Sequence, residues 1–153
     1  MRRFKKKYQK PKKPWEKARI EEEKKLMKEY GLRRKKEIWR AEAILRKYRR
    51  MARELNARMD KEKEKILIQK LIRLGILNNG ATLDDVLELS VKDILNRRLQ
   101  TIVYKKGLAN TIKQARQLIV HGHVYIKGRK VIWPSYLVPR EEEDKIEVKL
   151  KVK

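Results

Sequence analysis

The chain has 153 residues and no cysteine. That absence excludes a disulfide framework and a thiolate metal site, leaving only His121 and His123 to offer imidazole. Two neighbouring histidines without further ligands do not fill a tetrahedral site, so no metal and no cofactor is expected. Long apolar runs are also missing. No stretch of about 18 apolar residues occurs, which argues against a membrane partner. The start, Met1-Arg-Arg-Phe-Lys-Lys-Lys7, lacks the apolar region that follows the charges of a signal peptide. The expectation is a cytoplasmic, soluble protein. No Gly-rich phosphate loop or nucleophile elbow is found, so neither an enzyme nor a small-molecule substrate is expected. The acidic run Glu141-Glu-Glu-Asp144 sits beside Lys145 and reads as a solvated turn rather than an acid–base pair.

The most informative absence is local. From Ile94 to Arg140 there is no Asp or Glu, while Arg97, Arg98, Lys105, Lys106, Lys113, Arg116, Lys127, Arg129, Lys130 and Arg140 all carry positive charge. Over the whole chain 44 Lys and Arg face 20 Asp and Glu, a formal charge of +24. A domain that accepts this self-repulsion is most simply compensated by a polyanion. Charge alone does not separate RNA, DNA and an anionic membrane surface.

Periodicity predicts an α+β chain: an all-helical N-terminal region followed by a small domain of two helices on a short sheet. Residues 1–13 are a basic arm, too polar to fold alone. Pro14 and Gly31 bracket a first helix over about 15–30. Ile38, Ala41, Leu45, Tyr48, Ala52, Leu55 and Met59 recur at threes and fours, one apolar stripe on a long helix. Arg46, Arg49, Arg50 and Arg53 cluster away from it and are expected to face phosphate; a short coiled coil with a solvated basic face is the rival reading. A further helix over 66–77 ends at Asn78-Asn79-Gly80. Thr82 with Asp85, and then Ser90, begin two more helices, the second running to Gly107. Thr111 caps the next, with Ile112, Ala115, Leu118 and Ile119 inward. After Gly122 the period becomes two: a hairpin turning at Lys127-Gly128 and returning over Val131-Ile132, then a closing strand over 145–152.

The helix pair from Ser90 to His121 and the hairpin present one basic surface in which guanidinium and ammonium groups neutralise phosphate while amides and hydroxyls add direction. A DNA-reading helix-turn-helix is the competitor, but three contributing elements suit an irregular RNA shape better than a groove. His121 and His123 are read as phosphate, ribose or backbone partners, with a structural role open for one of them. Trp15, Trp39 and Trp133 are read as packing residues rather than base platforms.

Arg98-Leu-Gln, the segment from Tyr104 to Ala109, Thr111-Ile-Lys-Gln-Ala-Arg-Gln-Leu-Ile-Val-His-Gly-His123 and Val131-Ile-Trp-Pro-Ser135 closely resemble the RNA-binding domain of the S-four ribosomal protein family, over about 95–148. Upstream, Lys13-Pro-Trp-Glu, Tyr30-Gly-Leu-Arg and Ile38-Trp-Arg-Ala-Glu resemble the archaeal branch of that family. The chain is thus expected to have three parts: an arm over 1–13, a helical region over 14–93 and an RNA-binding domain over 94–153. The resemblance implies binding of the 5′ region of small-subunit (16S-type) rRNA early in assembly, a role in translational accuracy, and contacts with neighbouring small-subunit ribosomal proteins. By motif position, Arg98, Lys105, Thr111, Lys113, Gln114, Arg116, Gln117, His121 and His123 would line the RNA, with Lys127 and Lys130 at the hairpin. Lys127 stands where many relatives have Asn, and the Cys cluster of bacterial relatives is missing. Two further readings stay open here, the RNA-binding module of an rRNA- or tRNA-modifying enzyme and a ribosome-associated stress protein. The residues outside the module, mostly charged helix, supply no reacting groups for the first.

Overall fold

Residues 6–149 are described in a computed structural model of the chain. The first five residues of the expected arm and the end of the expected closing strand, over 150–152, lie outside the described residues. Helix α1 (Lys17–Glu29) stops at Tyr30, and Gly31 turns the chain with φ +56°. A Cβ at Gly31 would stand 2.8 Å from Ile112 Cγ2, so this turn needs glycine both for its left-handed backbone and for close approach to the C-terminal half.

Helix α2 (Lys35–Arg58) buries Ile38, Ala41, Leu45, Tyr48 and Ala52 as the stripe requires. Met59 departs from the expectation: the helix ends there in a left-handed residue at φ 52°, which throws Met59 out of the stripe to 85% exposure. Helix α3 (Lys61–Arg73) is capped by Asp60, whose carboxylate accepts from the Lys63 N–H at 3.3 Å. It ends earlier than the Asn-Asn-Gly signal suggested. Gly75, at φ +68°, takes the turn, and its bare Cα leaves room for the Arg97 guanidinium. Helices α4 (Leu83–Glu88) and α5 (Val91–Asn96) open at the expected caps, each as a capping box, with Thr82 and Ser90 N–H donating to Asp85 and Asp93 at 2.7 Å.

The helix expected from Ser90 to Gly107 is two helices. After α5 the chain extends at Arg98 and resumes as α6 (Leu99–Lys105). The cause is tertiary pairing: Arg98 bridges Leu137, Leu99 N–H donates to the Tyr136 carbonyl at 2.7 Å, and Val138 N–H donates to the Arg97 carbonyl at 3.0 Å. Backbone groups satisfied by another segment have no need of helix partners. Helix α7 (Ile112–Val120) begins as read, with Thr111 Oγ1 accepting from Gln114 N–H at 3.1 Å.

Strand β1 (Val124–Ile126) pairs antiparallel with β2 (Arg129–Lys130) and with β3 (Ile146–Val148), giving the order β2-β1-β3. The turn at Lys127-Gly128 is as expected, both residues having positive φ (51° and 74°). The return strand starts two residues earlier than Val131-Ile132. Those apolar residues drew the expectation, but the ladder pairs Tyr125 with Lys130 and Ile126 with Arg129. The acidic run is solvated at Glu141 and Asp144, as expected, but it is not a turn. It forms the short helix α8 (Arg140–Glu143), and its carboxylates reach Arg73, Lys127, Arg97 and, from Asp144, Lys106 at 2.8–3.2 Å. The fold is α+β, and its core has two parts. One cluster runs from Tyr30 to Leu95 among α2 to α5; the other, from Leu99 to Ile146, is held between α6, α7 and the sheet.

Candidate nucleic-acid interface

Helix α7 is amphipathic for a simple reason: Ala115 and Ile119 are buried, so Lys113, Gln114, Gln117 and His121 on the other side are exposed. Gln114 is partly engaged, its side-chain oxygen accepting from Asn110 N–H at 2.8 Å. The hairpin continues this surface. Gly122, at φ +77°, is covered by the Lys130 side chain, since a Cβ there would meet Lys130 Cε at 1.9 Å. Lys130 is thereby laid beside the His121–His123 segment, whose rings stand 6.4 Å apart. His123 is half-buried, and its Nδ1 lies 3.3 Å from the Lys149 carbonyl, so its ring is tied to β3's end. Lys127 is exposed at the turn but pairs with Glu142 at 3.0 Å. The Tyr136 hydroxyl, and then Lys127, hold the Glu142 carboxyl below its ordinary range. Lys105 is exposed and donates to Asn96 Oδ1 at 3.1 Å.

Arg98 does not line this surface. It is 5% exposed, and its guanidinium bonds to Glu37 Oε2 across the joint between the two core clusters. Arg116 donates to the same oxygen at 3.1 Å and to Gln100 Oε1 at 3.3 Å. Burial alone would push the Glu37 carboxyl up; the hydrogen bonds and charges of Arg116 and Arg98 overcome it and hold the group at about 2. Gln100, also buried, donates from its amide to the Gly31 carbonyl at 3.0 Å. Sequence periodicity gave no sign of this network, because its members lie far apart in the chain.

The Glu37 network floors a cleft of about 330 Å³. Arg33, Arg34, Lys36 and Arg40 from the start of α2 join Arg98 and Arg116 around the single carboxylate, with Pro134 and Ser135 on the far wall. Six cations against one anion make a concave focus of positive potential. None of the first four was among the sequence-derived candidates; the signal available was the Arg33-Arg-Lys-Lys36 run next to the Gly31 turn. Trp133, which precedes the Pro134 wall, is 62% exposed and Trp15 is 89% exposed, so neither is the packing residue expected. Trp39 is half-buried, its indole N–H donating to Glu23 at 3.0 Å.

Farther along α2, Arg46 and Arg50 form a separate groove of about 570 Å³ with Lys47 and residues 6–9 of the arm. Tyr8 packs toward Trp39 with ring centroids 5.9 Å apart, and Arg46 donates to the Gln9 side chain at 3.0 Å. Arg53 is exposed on the same side. Arg49 is not available there. It lies at the border of the buried stripe and donates to the Leu89 carbonyl, which ties α2 to the end of α4. The structure thus brings Arg116 and Lys113 onto one continuous side of α7 but leaves Arg46, Arg50 and Arg53 in a second site, about 15 Å along α2 from Arg40 at 1.5 Å per residue.

Among the described residues no cluster of three or more His, Cys, Asp or Glu is arranged to hold a metal. No described helix is long and apolar enough to cross a membrane.

Residues 97–144 match the family model of the S4 domain. The chain is 56% identical over 153 residues to the small ribosomal subunit protein uS4 of Nanoarchaeum equitans, covering 96% of this chain and 84% of that protein. It belongs to the uS4 family. Other members agree: the uS4 protein of Methanothermobacter thermautotrophicus is 52% identical (95% of this chain, 86% of that protein), and that of Ignicoccus hospitalis 55% identical (95% and 89%). The matched S4 domain has its own clasp in this uS4-family chain. Its first residue, Arg97, meets Glu143 at 2.8 Å, next to its last, Asp144.

Proposed function

We propose that this chain is a structural constituent of the small ribosomal subunit that binds the 5′ region of the small-subunit rRNA, and that it acts early in assembly without catalysing a reaction. The domain over 94–153 is the main RNA-binding unit, the helical region over 14–93 its second hand, and the arm over 1–13 an accessory strap. The observation that carries this reading is the carboxylate-poor cationic surface of α7 and the hairpin, running into the arginine cleft around Glu37. Membership of the uS4 family points to the ribosome of the cytoplasm as its place and to rRNA rather than DNA as the polyanion. Enzymatic use of the module finds no support in 14–93, whose charged helices pair carboxylates with cations or expose them to solvent.

Lys113, Gln117, His121 and Lys130 are the contacts from the S4 domain, Arg116 a contact whose orientation Glu37 fixes, and Arg46, Arg50 and Arg53 the contacts from α2. Thr111 and Gln114 serve first as helix cap and loop tie, and Arg98 as the buried partner of Glu37. The test is a salt titration of binding to a 5′-domain rRNA fragment. Each phosphate neutralised contributes about 0.7–0.9 to the slope of log affinity against log salt. Lys113→Ala should weaken binding by ~1 kcal/mol or more and lower the slope by about one such step. An unchanged slope in the Lys113→Ala, Lys130→Ala double variant would remove the S4 domain surface from the interface.

A further inference from the structure

Helix α2 has three sides, roughly a third of a turn apart at 3.6 residues per turn. Ile38, Leu45 and Ala52 face the core, and Arg46, Arg50 and Arg53 face solvent. The third side, with Met51, Leu55 and Arg58, forms one wall of a groove of about 410 Å³ whose other wall is α3. Its floor is aliphatic: Met51, Leu55, Ile66 and Leu67. Ile66 is 64% exposed on a helix otherwise covered with Lys and Glu, and Met59 stands exposed at the joint of the two helices. No aromatic ring lines the groove, so it offers none of the stacking planes on which unpaired bases are held.

The rim selects a charge. Lys63 is paired with Asp60 and Glu54 with Arg50, which leaves Arg58 and Lys70 as the cations facing an incoming group. We propose that the α2–α3 groove docks an amphipathic helical segment of another protein, with aliphatic anchors and acidic flanks. Two packed helices offer a third helix the ridge-and-groove surface it needs. The groove's lining runs from Lys63 to Lys70 on α3 and from Met51 to Arg58 on α2, a seat of about 10 Å that holds two turns of a docked helix. A second copy of this chain is disfavoured, because each carries a formal charge of +24. Arg46, Arg50 and Arg53 point to a different side of α2, with Met51 on the ridge between the two grooves, so a docked helix and RNA can be held at once. The inference stands whether or not the RNA bound is ribosomal.

The experiment uses the full chain and a fluorescein-labelled synthetic helix of about four turns, with Leu at alternating third and fourth positions and Glu between them. Anisotropy should report binding that Ile66→Ser weakens at least tenfold, while Ile66→Leu retains it. The same peptide with Ser in place of Leu should not bind measurably, and saturating rRNA fragment should leave the affinity within about twofold. Ile66 is on the surface, so both variants should keep the wild-type circular dichroism. Equal binding of the Ser peptide, or indifference to Ile66→Ser, would reduce the effect to attraction between acid and a basic protein and overturn the proposal. Displacement of the peptide by RNA would make the groove part of the RNA surface. A concentration-dependent dimer abolished by Ile66→Ser would assign the groove to a second copy. Either result overturns the proposal as well.

Discussion

Glu37→Gln removes one charge and leaves nearly everything else in place. The carboxylate accepts from Arg98 and Arg116 through one oxygen and from the Arg33 and Arg34 N–H groups through the other, at 3.1 and 3.4 Å. An amide oxygen still serves the helix start, as in a capping box with Gln. It no longer compensates Arg98, whose side chain is 6% exposed. A carboxyl at about 2 in the fold against 4.5 in its ordinary state corresponds, at about 1.4 kcal/mol per tenfold, to roughly 3 kcal/mol of stability. Removing one partner of a buried pair independently suggests ~3–5 kcal/mol. Glu37→Gln should therefore cost ~3 kcal/mol, a drop in urea midpoint of about 1–3 M at ordinary m-values. The folded pKa is depressed, so the contribution is complete above about pH 4.5 and is lost as pH falls toward 2. The gap between wild type and variant should close over that window. Adding Arg98→Met to Glu37→Gln should recover part of the loss, because no buried cation is then left alone. A single variant within ~0.5 kcal/mol of wild type, or a gap that persists unchanged down to pH 2, would refute the reasoning.

Other expectations follow from the same contacts. Gly122→Ala should cost ~1–2 kcal/mol and displace Lys130, whereas Gly107→Ala, with nothing within 4 Å of the added Cβ, should cost only its backbone strain; thermal melts of both separate the two effects. Trp133→Ala should leave stability within ~0.5 kcal/mol, given its exposure. Its RNA affinity should fall by ~1–3 kcal/mol if the ring stacks on a base beside the cleft, as a binding titration would show. Arg40→Ala should reduce RNA affinity and salt slope together while the urea midpoint stays near wild type, because Arg40 is an exposed cation of the cleft.

Local signals in the sequence were legible where local chemistry decides the structure. Thr82 with Asp85, Ser90, and Thr111 start helices by bonds that close within three residues, and Gly31 and Gly122 turn where the left-handed backbone fits. The break at Arg97 and Arg98 was not legible, since the apolar period runs through it and the partner segment lies some forty residues on, at Leu137. For the same reason the ion pairs of the acidic run 141–144 were not legible. Its four cations come from α3, the α5–α6 joint, the end of α6 and the hairpin turn, and nothing in their spacing announces the convergence. The exposure of the candidate residues was legible only in part. Exposed α7 residues follow from the buried face opposite them, whereas the burial of Arg98 depends on Glu37 from another region. The basic run 33–36 became a cleft wall only once the Glu37–Arg116 ion pair joined the start of α2 to α7.

Chemical footprinting of the 5′ region of small-subunit rRNA, with wild type and the Lys113→Ala, Lys130→Ala variant at moderate salt and excess competitor RNA, bears most directly on the proposed role. Discrete protection at one junction, weakened in the variant, is expected. Diffuse protection that competitor erases, or the same footprint from both proteins, would contradict it.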